Sequence, residues 1–297
     1  GRERHKPASI QSGGDPPAGM RVLLLVPGGL RAQLNALPAA ARLAEALTAQ
    51  VQVACAPSAA AAWSLLPAVE KLIPFDFDGS PSLADWANLL GNVREPDFQA
   101  CINLASGRQV DLMLSMSHIP NRVASGGFSA TSTVNASGGW PAQALAAYLK
   151  PLGISLDADA FRLSLPKPAL AKAAAALPAG SGPALLLAPS GDGADWPASR
   201  WQALPALVRA KLPDVRIVEA SRGGSLLERA AQLASCDVVL SSDPISCELA
   251  LLAGMPLVAV GGRSDQLPSR QGVQAVGEAG ALQNLSETAV LQALGLG

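Results

Sequence analysis

The feature that most restricts this chain is an alternation, made twice over, of short apolar runs with helix-length segments. The runs RVLLLV (Arg21–Val26), VQVACA (Val51–Ala56) and ACINL (Ala100–Leu104) are too short for buried helices. They show little polar alternation and read as strands covered on both faces. Helical stretches fall over about Leu30–Ala49 and Asp85–Val93, and another begins over Val110–Met116. Trp63–Leu66 suggests a short helix ahead of a strand at Val69–Phe75. The Gly- and Ser-rich residues 124–139 break the rhythm, and a helix is expected over Pro141–Leu152.

The rhythm then repeats. Strands are expected at Ala184–Ala188, Val215–Ala220, Asp237–Leu240 and Pro256–Val260, with helices at Ala198–Lys211, Leu226–Ala234, Ile245–Ala253 and from Glu287 onward. Between the two series, RLSLPKP (Arg162–Pro168) reads as a Pro-punctuated strand. An Ala-rich helix follows to about Leu177-Pro178, and Gly180-Ser181-Gly182 marks a linker. Strands alternating with helices imply parallel sheets covered on both sides. The expected fold class is therefore α/β: two Rossmann-like, doubly wound parallel-sheet domains facing a cleft. Their expected bounds are 20–165 and 183–297, with a linker region at 166–182 and a polar tail at 1–19. That tail (GRERHKPASIQSGGDPPAG) lacks periodicity and suits a cloning remnant, a disordered tail or the stub of a cleaved targeting peptide.

Composition narrows the functions. Hydrophobic residues make up 49% of the chain and aromatics only 4%, so Leu, Val, Ile and Ala must fill the core. A net charge of −1 with scattered Lys and Arg argues against a nucleic-acid partner. No apolar run reaches the roughly 18 residues of a membrane span. Cys55, Cys101, Cys236 and Cys247 form no CxxC pair and read as buried free thiols of a soluble, reducing compartment, the cytoplasm or an organelle (plastid) stroma. The two histidines, His5 and His118, are too few for a zinc cluster or a histidine triad, and no metal or cofactor is expected.

In doubly wound sheets ligands bind beyond the carboxyl ends of the strands. Three loops fall there. Gly28 and Gly29 precede a helix whose free N–H groups could meet an anion. Ser190 and Gly191 open a second loop, which also holds Asp192 and Asp195 and no Lys or Arg. Ser242 and Asp243 lead into the third helix. There Asp243 suits a cap, Pro244 the first turn and Gly254 the stop, and those roles need no ligand.

At this point the order of several segments resembles the lipopolysaccharide heptosyltransferases, nucleotide-diphosphate-sugar enzymes of GT-B fold. Leu37-Pro38-Ala39-Ala40-Ala41-Arg42-Leu43 is similar to that family's first-helix "LPAxRxL" pattern, and VEKLIPFD (Val69–Asp76) to its following strand. Asp97–Leu104 resembles its "D-x-x-I-x-L" strand, Trp196–Trp201 its "WPxxRW" helix start, and Leu233–Val260 its last nucleotide-binding βαβ unit.

The departures fall on the residues to which the resemblance assigns chemistry. Its "GD" pair, holding the general base, is Arg31-Ala32 here, and neither side chain can accept a proton. Its phosphate-binding Lys aligns with Ala194 or Asp195. Its "D-[ST]-G-x-x-H" diphosphate loop reads Asp243-Pro244-Ile245-Ser246-Cys247-Glu248, where Ile245 replaces Gly and Glu248 replaces His. A helix, a short strand and a loop of the family pattern are also missing between Ala220 and Ser225. These losses point to a catalytically degenerate protein kept as a structural or interaction subunit, in contact with a protein partner through surface such as 124–139 or the 1–19 tail. An active transferase with rearranged residues is the alternative. It would hold a nucleotide-diphosphate sugar at Gly28, Gly29, Ser190, Gly191, Ser242, Asp243 and Glu248, with Asp192, Asp195, Glu248 or Asp111 as base. A small-molecule or nucleotide binder without transfer activity is the third reading.

Overall fold

A computed structural model describes residues 20–297; the expectations for the 1–19 tail lie outside them. Six parallel strands form the first sheet: β1 (Arg21–Leu25), β2 (Gln50–Cys55), β3 (Val69–Pro74), β4 (Ala100–Asn103), β5 (Asn121–Ala124) and β6 (Ser132–Thr133), in the order β3-β2-β1-β4-β5-β6. Helices α1 (Leu30–Leu47), α2 (Leu83–Arg94) and α3 (Arg108–Ser115) flank it, and a 3-10 helix over Pro57–Leu65 joins β2 to β3. Short helices α4 (Pro141–Ala144) and α5 (Ala146–Leu149), then α6 (Lys167–Ala175), lead to the second sheet. Its strands are β7 (Ala184–Ala188), β8 (Arg216–Glu219), β9 (Val238–Ser241), β10 (Leu257–Val260) and β11 (Val273–Val276), all parallel in the order β11-β10-β9-β7-β8. Helices α7 (Ala198–Lys211), α8 (Leu226–Ala234), α9 (Pro244–Leu252) and α10 (Glu287–Ala293) complete it.

Both sheets are wound outward in two directions, so each has a switch point, between β1 and β4 and between β7 and β9. The loops after β1, β7 and β9, singled out from sequence, all start at these points. Local chemistry sets the helix starts. Ser82 and Asp85 form a reciprocal capping box on α2, while Ser225 caps α8, Asp243 α9 and Ser286 α10. Among the first helices, α1 has only Gly29 at its cap, with no side chain bonded there.

Three expectations fail. RLSLPKP is not a strand: Leu163 N–H does bond to Leu252 O at 3.0 Å, but no ladder forms. Pro166 and Pro168 bring no N–H, and α6 starts between them at Lys167. The helix over 141–152 is instead α4, α5 and a 3-10 turn over Lys150–Leu152, because Pro151 cannot continue the bonding of α5. β5 ends where the Gly- and Ser-rich break begins, β6 lies within the break, and β11 follows Gly272. These strands have two to four residues and lie at or near sheet edges, leaving too little apolar pattern to read.

The core explains how the halves are joined. Along β1, Leu23 and Leu25 face one layer, with Ile73, Leu89, Val110 and Leu114. Val22 and Leu24 face the other, which also holds Leu34, Leu37, Leu186, Ala230, Leu249 and Leu252. This second layer is a single apolar body drawn from both halves. In it α1 packs on α9, and the 3-10 helix over Pro57–Leu65 packs on α8. Gln33, fully buried, ties the first loop to it. Its amide donates to Val26 O at 3.0 Å and Gly28 O at 3.2 Å, and its Oε1 accepts from Trp63 Nε1 at 2.8 Å. Leu249→Ala in this shared layer is expected to cost about 2–5 kcal/mol. Denaturant unfolding followed by probes in each half should still show one transition; two separate transitions would contradict a shared core.

Candidate functional site

At the β1 and β7 loops the backbone N–H groups of Gly28, Ser190 and Gly191 are each bonded to a side chain of the protein itself. Gly28 turns at φ +92°, which favours glycine, and its N–H donates to Asp78 Oδ2 at 2.8 Å. A Cβ there would meet Ala32 Cβ at 2.8 Å. Ser190 N–H donates to Ser242 Oγ at 2.9 Å, and Gly191 N–H to Asp195 Oδ2 at 2.9 Å. The two loops of the second sheet are thus brought together, but by bonds to each other.

Asp243 does what a cap does. Its Oδ2 accepts from Ser246 N–H at 3.0 Å and from Ser246 Oγ at 2.8 Å. It also receives Arg229 Nη2 at 3.1 Å. Ile245, which replaces the glycine of the family pattern, is half-buried and packs on the shared apolar layer. Asp192 accepts from Ala194 N–H at 2.8 Å and Asp195 from Trp196 N–H at 2.7 Å, so both carboxylates are spent on their own turn. Asp111 is buried on α3 and accepts from Ser129 Oγ at 2.5 Å, in the first half and away from α9.

Sequence reasoning missed two arginines. Arg222 follows β8 and reaches over the β7 loop, donating to Pro189 O at 2.9 Å. Together with Arg229 it lines a cavity of about 230 Å³ whose wall includes Ser190, Asp243 and Ser246. The β7 loop has no cation of its own, but the fold brings one to it. The signal was present only as Arg222 and Arg229 themselves, and nothing in their spacing from residue 190 says that they face it. A larger cavity of about 540 Å³ lies beside it, between the β7 loop, α7 and the end of β8.

Glu248 is the remaining site residue, and it lies elsewhere. Its side chain is 4% exposed, and Oε1 sits 3.2 Å from Arg31 Nε on α1. Trp140 Nε1, at the start of α4, donates to Oε2 at 3.4 Å. The residues standing where the resemblance puts the "GD" pair and the histidine therefore pair with each other across the two halves. Burial pushes the Glu248 carboxyl above its usual range, against the pull of Arg31, Trp140 and Asn35. The thiols of Cys55 and Cys236 are pushed up to about 11 and that of Cys247 to about 12 by burial, and Cys101 is raised further, so none is a ready nucleophile. All four are free. Among the described residues no cluster of His, Cys, Asp and Glu could hold a metal ion, and no helix is long and apolar enough to cross a membrane.

The raised Glu248 carboxyl has a signed consequence. A raised acid binds more protons folded than unfolded, so its contribution to stability falls as pH rises through the unfolded value and up to the folded one. Above that window the cost of the buried charge is constant. Glu248→Gln keeps the shape and removes the cost. Its melting temperature is expected to exceed that of the parent by a few degrees at pH 7, with the gap closing toward pH 4. An equal gap at both pH values would show that the charge is not what the substitution removed.

No family model matches the sequence, and no curated protein matches it. Solved structures do match. A family 9 glycosyl transferase from Veillonella parvula superposes with a TM-score of 0.73 at 14% identity, over 93% of this chain and 96% of its own. The ADP-heptose lipopolysaccharide heptosyltransferase II of E. coli gives 0.68 at 14% identity, over 93% and 98%. The E. coli heptosyltransferase WaaC, with ADP-2-deoxy-2-fluoro heptose, gives 0.67 at 18% identity, over 93% and 99%. The chain therefore resembles the heptosyltransferases along nearly its whole length and has their GT-B-like fold.

Proposed function

We propose that this chain is a catalytically degenerate glycosyltransferase-like protein that serves as a structural or interaction subunit of a larger assembly. The observation that carries the reading is the Arg31–Glu248 pair at 3.2 Å, bonded across the two halves at the positions where a transferase needs a proton acceptor and a donor-binding residue. Ala32 carries no group able to take a proton, and the carboxylates of the β7 loop hold their own backbone. The fold persists because its stability rests on the shared apolar layer, to which Ile245 adds contact.

One observation favours a second reading, a protein that still binds a nucleotide-diphosphate sugar. Arg222 and Arg229 line a cavity at the switch point of the second sheet, and the E. coli neighbour is described with an ADP-heptose analogue. Asp243 neutralises Arg229 in that cavity, which supports the first reading over the second.

Calorimetric titration with ADP-heptose and other nucleotide-diphosphate sugars separates them. The degenerate reading expects no binding up to millimolar donor and no hydrolysis or transfer. Micromolar binding, lost in Arg222→Ala, would establish the second reading. Binding accompanied by transfer would overturn the first outright.

A further inference from the structure

The segment that crosses from the first half to the second is bonded to both. Its near end rests on α1: α4 packs on that helix, and Arg42 Nε donates to Ser155 O at 2.8 Å. Gln143 on α4 makes one body of the residues that follow. Its Nε2 donates to Leu156 O at 2.8 Å, and its Oε1 accepts from Ala158 N–H at 2.7 Å. Trp140 stands at one end of this body, and Asp159, in a 3-10 turn over Ala158–Ala160, stands at the other.

Both ends reach the second half, at Glu248 and Arg270. Trp140 is buried; its Nε1 donates to Glu248 Oε2 at 3.4 Å, and the Arg270 guanidinium lies 5.9 Å from the centre of its ring. Asp159 Oδ1 accepts from Arg270 Nε at 2.7 Å, and Arg270 Nη1 donates to Leu251 O at 3.0 Å, in the last turn of α9. One indole thus touches both the anion and the cation that the second half presents, and a carboxylate of the same body holds the cation. We infer that residues 140–159 form a clamp, seated on α1 and closed on Glu248 and Arg270, that keeps the two halves in one relative arrangement. Two-domain proteins commonly take in ligands by hinge motion between the halves. Here that motion would draw Glu248 away from Trp140 and Arg31, and Arg270 away from Trp140 and Asp159. Glu248 is 4% exposed and Arg270 12%, and a charge left without its partner in such a seam is costly. The apolar layer alone would tolerate sliding, whereas these bonds are directional. The clamp operates whether or not the chain binds a donor.

Pulsed electron spin resonance on the full chain tests it. Nitroxides are attached through Ser106→p-acetylphenylalanine and Glu278→p-acetylphenylalanine, at exposed positions after β4 and β11, so that the native cysteines stay untouched. The parent is expected to give one narrow distance. Trp140→Leu removes the N–H and the ring face together, and should at least double the width of the distribution or add a second distance. Arg270→Gln leaves Trp140 packed and should widen the distribution by a smaller factor. Two distances in the parent overturn the clamp, and so does a distribution that neither substitution widens. Should Trp140→Leu fail to fold, Arg270→Gln alone decides. The interaction-subunit reading survives either result, because donor binding and not this distance tests it.

Discussion

A carboxylate taken out of water must be answered by donors, and where the donors come from determines what the carboxylate joins. Glu248 on α9 is answered by Arg31 on α1 and by Trp140 at the start of α4. Its partners therefore lie on elements of the first half, while its own helix belongs to the second. In the low dielectric of a packed seam such a pair gains more from Coulomb attraction than it would at a surface, but it also pays a desolvation cost that rarely leaves a large surplus. Its main effect is on geometry. Leu34 and Leu37 on α1 and Leu249 and Leu252 on α9 can pack in many registers, whereas Arg31 and Glu248 can meet in few.

The same self-sufficiency runs through the loops at the two switch points. Asp78 on Gly28, Ser242 on Ser190, Asp195 on Gly191 and Asp243 on Ser246 each satisfy a backbone group that a phosphate would otherwise take. Replacing protein carboxylates by a ligand anion at such sites gains little, because the N–H groups exchange one negative partner for another. A pocket that needs a ligand leaves donors empty, and here Gly28, Ser190 and Gly191 are occupied, while the first turn of α1 has no side chain bonded to it. That distinction separates a retained fold from a retained site better than the count of matching residues does.

The central strands and the outer helices were legible because RVLLLV and ALLLA are continuous apolar runs closed by Pro27-Gly28 and Pro189. The edge strands β3 and β8 were read from Val69–Phe75 and Val215–Ala220, but β5, β6 and β11 were not, since they have two to four residues, too few for a period to declare itself. RLSLPKP misled because alternation was read without counting the N–H groups its two prolines remove. At the site, Asp243 as a cap was readable from Asp-Pro alone, being a local matter. Arg222 and Arg229 over the β7 loop were not, because they lie more than 30 residues from Ser190 in sequence and are placed there by the β8–α8 turn. The pairing of Arg31 with Glu248, 217 residues apart, was likewise beyond any local rule, although both positions were marked as departures from the family pattern.

Those two long-range arrangements meet on one helix. Asp243 caps α9 and holds Arg229, and five residues on, Glu248 holds Arg31. An anion entering the cavity between Arg222 and Arg229 would compete with Asp243 for Arg229. Asp243 would then be left with an uncompensated charge beside the anion, or would turn away and uncap α9. An uncapped helix start costs about 1 kcal/mol. It would also loosen the first turns of the helix that carries Glu248 into the seam. An anion bound between Arg222 and Arg229 would therefore weaken the joint between the two halves.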